Sequence, residues 1–149
     1  VNIRTAYIIN TLKQLNDRLL EHDPFNREHL AEEESDFIEK MGDLFTIPAE
    51  GNPEFLFEIQ ELLSRFVRCY PNLVPLMKRE LLWFAGGECL HFLGDEELSV
   101  YELLEEEIYQ LESSSQEYSI SELLEKSESP NNLFTNNFLF MLVYISKQL

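Results

Sequence analysis

Arg79-Glu80-Leu81-Leu82-Trp83-Phe84-Ala85-Gly86-Gly87-Glu88-Cys89-Leu90-His91-Phe92-Leu93-Gly94-Asp95 holds the only Trp of the chain beside a Gly-Gly pair, a cysteine and a histidine. From Leu81 to Ala85 no polar face is left, so a helix here has to be covered on every side. Gly94 suits the position just past such a helix, and Asp95 suits the cap of the next one. The anomaly is Gly86-Gly87, because two glycines inside a helix cost about 2 kcal/mol relative to alanines. Either a neighbour approaches the bare backbone closely or the helix breaks there. The row Leu82, Cys89, Leu93 continues across the pair and favours one buried helix over about residues 76–93. On that reading Leu82, Trp83, Phe84, Gly86, Gly87, Cys89, Leu90 and Phe92 form the structural core.

On both sides of this run the periodicity is helical. Ile8, Leu12, Leu15 and Leu19 recur one turn apart, and Asp23-Pro24 stops that first helix because a proline biases its predecessor away from helical dihedrals. Asn26 can cap a second helix that turns Leu30, Phe37, Ile38, Met41, Leu44 and Phe45 to one face and leaves Glu32, Glu33, Glu34 and Asp36 wet. Residues 46–52 read as a loop. Asn52-Pro53-Glu54 is the clearest helix start: a capping amide, a proline where no N–H is needed, and an acid at the positive end of the dipole. Phe55, Ile59, Leu62, Leu63 and Phe66 form the inner stripe of that helix, which ends near Cys69 ahead of Pro71; Pro75 is then placed to start the central helix.

Beyond the central run, acids open a further helix at residue 95, with Leu98, Tyr101, Leu104, Ile108 and Leu111 inward. Ser119 and Glu122 form a capping-box pattern over Leu123 and Leu124. The apolar run 138–145 lacks a period; the all-helical context favours helix over strand there. These elements predict an all-α single domain over residues 1–149, a bundle of six or seven helices around the buried central one.

A chain of 149 residues with 44% hydrophobic residues can bury a full core without a disulfide or metal staple. Its net charge of −17 repels polyphosphates and anionic membranes, which argues against direct nucleic-acid or membrane binding. Cys69 and Cys89 show no Cys-x-x-Cys spacing and the first 20 residues do not read as a secretory leader, so both are expected to be reduced thiols of a cytoplasmic protein. No apolar run reaches the ~20 residues that span a bilayer.

Glu88 and His91 form Glu-x-x-His, which on a helix sets carboxylate and imidazole one turn apart and gives a candidate metal pair. Di-iron bundles use the motif twice with two further glutamates, whereas it occurs once here; hydrogen bonding at the edge of the core is the plainer role for His91. Cys89 and His91, two residues apart, would point away from each other on a helix and make no nucleophile–base pair. No phosphate-binding loop or nucleophile-elbow motif is present, no cofactor is implied, and the chain reads as no enzyme. Charge patterning says more. Arg65, Arg68, Lys78 and Arg79 have no acid among them, while residues 95–125 carry acids and no base. Either the basic segment folds against an acidic helix of the same molecule, or Glu102, Glu105, Glu106 and Glu107 face a basic protein partner or mimic a nucleic-acid backbone.

The combination Leu82-Trp83-Phe84, Gly86-Gly87, Glu88-Cys89-Leu90-His91-Phe92 and Asp95-Glu96-Glu97 resembles the central signature of a small uncharacterised all-helical protein family of gamma-proteobacteria, over about residues 69–104. The resemblance implies a cytosolic bacterial protein of about this length and supplies no activity, ligand or catalytic residue. The function expected from the sequence is a non-catalytic acidic interaction or regulatory module, possible as a homodimer, with a metal- or small-ligand bundle at Glu88 and His91 or an acidic nucleic-acid mimic as alternatives.

Overall fold

The computed structural model describes residues 2–46 and 52–128, and every regular element in that range is a helix. The fold is all-α, as the 3.6-residue periodicity predicts. In order come α1 (Ile3–Leu19), α2 (Glu32–Leu44), α3 (Pro53–Cys69), a first 3-10 segment (Pro71–Leu76), α4 (Glu80–Ala85), a second 3-10 segment (Gly87–Phe92), α5 (Asp95–Ser113) and α6 (Ile120–Glu128). Contacts group the chain into two compact units, Val1–Phe92 and Leu93–Leu149. The apolar run 138–145, expected to be a last helix, lies outside the described residues, as do residues 47–51 of the expected loop.

In the first unit α3 touches α2, α4 and both 3-10 segments, while α1 packs on α2, α4 and the first 3-10 segment. The expected stripes are the buried ones: Ile8, Leu12, Leu15 and Leu19 on α1, and Phe55, Ile59, Leu62, Leu63 and Phe66 on α3. Each fully buried side chain of this kind contributes about 1.5–3 kcal/mol. The start of α3 has the predicted chemistry, with Asn52 Oδ1 accepting from the Glu54 N–H at 3.0 Å and Pro53 in the first turn.

Three expectations need correction. The second helix begins at Glu32, not after Asn26, and Leu30 precedes it. Residues around Pro24 turn back on themselves, the Asn26 N–H meeting the His22 carbonyl, so that Phe25 is buried against Phe37 and Tyr70 with ring centroids 5.6 and 4.9 Å away. Glu34 then closes the start of α2 by accepting from the Ala31 N–H at 2.8 Å. At the other boundary, Asp95 is the first residue of α5 and Gly94 is its cap, the Gly94 N–H donating to Glu97 at 3.1 Å.

The third correction concerns the continuous helix over residues 76–93, which does not exist. Pro75 sits in the first 3-10 segment, α4 runs for six residues, and Gly86 and Gly87 both take positive φ (71° and 55°) before the chain tightens into the second 3-10 segment. Successive left-handed dihedrals are readily open to glycine alone, so the pair terminates the helix instead of crossing it. Nor is the run covered all round. Leu81, Leu82, Ala85 and Cys89 are buried, but Trp83, Phe84, Leu90 and Phe92 are only half-buried, Gly86 is partly exposed and Gly87 is exposed. A six-residue helix bounded by turns has too little length to be ringed by neighbours.

In the second unit α5 packs on α6. Tyr101, Leu104 and Ile108 of α5 and Ile120, Leu123 and Leu124 of α6 are buried. Half of the expected capping box is made, the Glu122 N–H reaching Ser119 Oγ at 3.4 Å.

Candidate functional site

The break in the central run is organised from α3. Gln60 donates from Nε2 to the Ala85 carbonyl at 2.8 Å, satisfying an acceptor that the end of α4 leaves open. Its amide lies so close to Gly87 that a Cβ there would meet Gln60 side-chain atoms at 2.9 Å. This explains the second glycine twice over, by close approach and by positive φ. One turn on, the buried Cys89 thiol donates to the Gln60 carbonyl at 3.6 Å and lies 3.9 Å from Ser64 Oγ. Arg79 closes the segment by donating to the Phe92 carbonyl at 2.8 Å. Burial pushes the Cys89 thiol above its ordinary range, so it is held protonated and packs as a small apolar group. A thiolate nucleophile needs the opposite environment.

Glu88 and His91 are both exposed on the second 3-10 segment, where residues three apart eclipse each other. Among the described residues no group of three or more His, Cys, Asp or Glu is placed to hold a metal ion, and two ligands do not close a coordination shell. Of the core candidates, Leu82 and Cys89 are fully buried, while Trp83, Phe84, Leu90 and Phe92 are half-buried.

The acidic candidates fall into two pairs. Glu102 and Glu106, one turn apart, are exposed on α5, whereas Glu105 and Glu107 are half-buried. The exposed row runs on to Tyr109, 70% exposed, with Leu103 beside it at 38%. Sequence reasoning passed over both apolar residues, although each sits off the Tyr101–Leu104–Ile108 row and so could have been identified as outward-facing.

The cations have a different fate. Arg65 bonds Asp36 at 2.8 Å and the Glu33 carbonyl at 2.9 Å and lies over the Phe37 ring. Lys40 also reaches Asp36, at 3.3 Å. The Arg65 hydrogen bond holds the Asp36 carboxyl below its ordinary range. Arg18 donates to the Leu76 carbonyl, Arg27 pairs with Asp23, and Arg4, Lys13 and Arg68 lie over Phe84, Phe45 and Phe92. Of the basic segment, Arg65 meets an acid of its own molecule, Asp36 on α2, while Arg68 lies over Phe92 and Arg79 bonds the Phe92 carbonyl. No local pattern signals another internal pair: buried Glu80 on α4, which accepts from the Tyr7 hydroxyl of α1 at 2.6 Å.

Between α2 and α3 lies a groove of about 150 Å³ lined by Lys40, Leu44, Glu58, Glu61, Leu62 and Arg65. No helix among the described residues is long and apolar enough to cross a membrane. No curated protein and no solved structure matches the chain. A family model described as PA2817-like matches residues 1–132.

Proposed function

The chain belongs to the PA2817-like family, and from that premise we propose that it is a non-catalytic interaction module, cytoplasmic and bacterial, whose acidic α5 face meets a basic protein partner. One observation carries the reading: the described cations are largely engaged inside the molecule while Glu102 and Glu106 stand exposed in a row with Tyr109. An outward carboxylate row beside an aromatic ring offers a lysine or arginine both charge and a π-face. Glu105 and Glu107 flank the row and add to its field. The outward aromatic favours a protein contact over a phosphate-like array of carboxylates, and a second copy of this chain, equally acidic, would be repelled at the same face.

The test is capture from a bacterial lysate on immobilised chain. Wild type is expected to retain protein at low salt and lose it as salt rises. The variant carrying Glu102→Gln, Glu105→Gln, Glu106→Gln and Glu107→Gln is expected to retain little at either. Equal retention by the variant, or none by wild type, refutes the reading.

A further inference from the structure

We propose that the groove between α2 and α3 seats one arginine side chain of a peptide partner. The inference rests on the reading of the chain as a module for basic partners and gives it a second, defined point of attachment.

The floor is apolar: Leu44 and Leu62 are 3% and 5% exposed. Glu58 and Glu61 stand exposed on one rim, three residues apart on α3 and so on one face of the helix. Lys40 of α2 and Arg65, one turn beyond Glu61 on α3, also line it, and both are held by Asp36, which does not line the groove. Among the described residues neither Glu58 nor Glu61 has an ion-pair or hydrogen-bond partner. The two cations of the groove therefore share one carboxylate from outside it, whereas its own two carboxylates have no partner, so carboxylates outnumber cations in the set. An anionic occupant would have to displace Asp36 from Arg65, while a cationic one finds two unpaired acceptors waiting.

Size narrows the occupant. Metabolite pockets run to about 300–1,000 Å³, and a cavity of about 150 Å³ holds a group the size of benzene. One long side chain fits that scale. Its methylenes would lie on Leu44 and Leu62, as stems of charged residues do on apolar surface. Arginine suits the rim better than lysine, because a planar fork of donors can bridge two carboxylates one turn apart while an ammonium is a point charge.

The experiment is an amide-shift titration of the isotopically labelled full chain with the blocked peptide Ac-Gly-Arg-Gly-NH2, alongside the same peptide with norleucine in place of arginine. Saturable shifts are expected at the amides of Lys40, Leu44, Glu58, Glu61 and Leu62 with the arginine peptide. The double variant Glu58→Gln/Glu61→Gln is expected to bind about tenfold more weakly, the loss of roughly 1.4 kcal/mol. Equal binding of the norleucine peptide, or an unchanged affinity in the double variant, overturns the proposal. Shifts confined to α5 overturn it too and leave the acidic-face reading standing. Conversely, groove shifts that survive while the quadruple α5 variant captures protein normally would sink the acidic face and keep the groove.

Discussion

The α3 helix and the segment 80–92 pack on each other, both are rich in apolar residues, and only one is a continuous helix. In α3 the apolar residues keep to one side, Phe55, Ile59, Leu62, Leu63 and Phe66 inward with Glu58 and Glu61 outward, and a full set of end signals brackets them. In the segment 80–92 the apolar residues occupy every side, so no periodicity records which way each points. The lesson is that an all-round apolar run has two physical meanings, a buried helix or a bent strap whose pieces face different neighbours. A glycine pair is what separates them.

The largest effect should come from the regular side of that contrast. Phe66 is fully buried in the ring cluster with Phe37 and Tyr70, and Phe66→Ala is expected to lower the unfolding free energy by about 3–5 kcal/mol in urea titration. A loss under 1 kcal/mol would mean that α3 is not the support of its unit. Next comes Gly87→Ala. A side chain at φ 55° costs about 1–2 kcal/mol, and the Gln60 amide stands in the way of its Cβ. Gln60→Ala alone should cost about 1 kcal/mol for the lost bond to the Ala85 carbonyl. The two together should destabilise by less than their sum, since removing the amide relieves the clash. Strict additivity would dissolve the link between Gln60 and the bend.

A fourth substitution has the opposite sign. Gly42 lies within α2 without a positive φ, and nothing stands within 4 Å of a Cβ built there. Gly42→Ala should therefore stabilise by about 0.5–1 kcal/mol in the same titration. If both alanine substitutions destabilise, conformation is not what distinguishes the two glycines. The smallest effect concerns pH. Because Arg65 holds the Asp36 carboxyl below its ordinary 3.8, the pair's contribution is present above that value and is lost as pH falls through the depressed one. Asp36→Asn should lower the melting temperature slightly at pH 7, where the pair is charged, and converge with wild type as pH falls through that acid window. A parallel fall in wild type and variant would show the pair to be inert.

How much of this could be read without coordinates varied with the kind of signal. Where a local device acts on its own backbone, as at Asn52-Pro53-Glu54, Ser119 with Glu122 or the acids opening α5, the sequence specified the element closely. Where the outcome depended on a distant partner it did not. Phe25 packs on Phe37 of α2 and on Tyr70 just past α3, which no local pattern reveals, and for that reason sequence reasoning places the start of α2 too early. The glycine pair reads as an anomaly that needs either a close neighbour or a break, and the apolar row across it favours continuity; the structure has both the neighbour and the break. Of the acidic candidates, Glu102 and Glu106 are exposed, while Glu105 and Glu107 are half-buried because the successive positions 105–107 span more than one face of a helix. The groove between α2 and α3 went unseen, since a depression made by two helices has no signature in either.

The Gln60 side chain carries one more consequence. The instruction for the bend at Gly86 and Gly87 is written partly 25 residues upstream, in the amide that receives it. Residues 79–92 cut loose from α3 would carry the glycines without the mould, and a peptide of that stretch should show no fixed shape by circular dichroism until the α3 sequence is supplied.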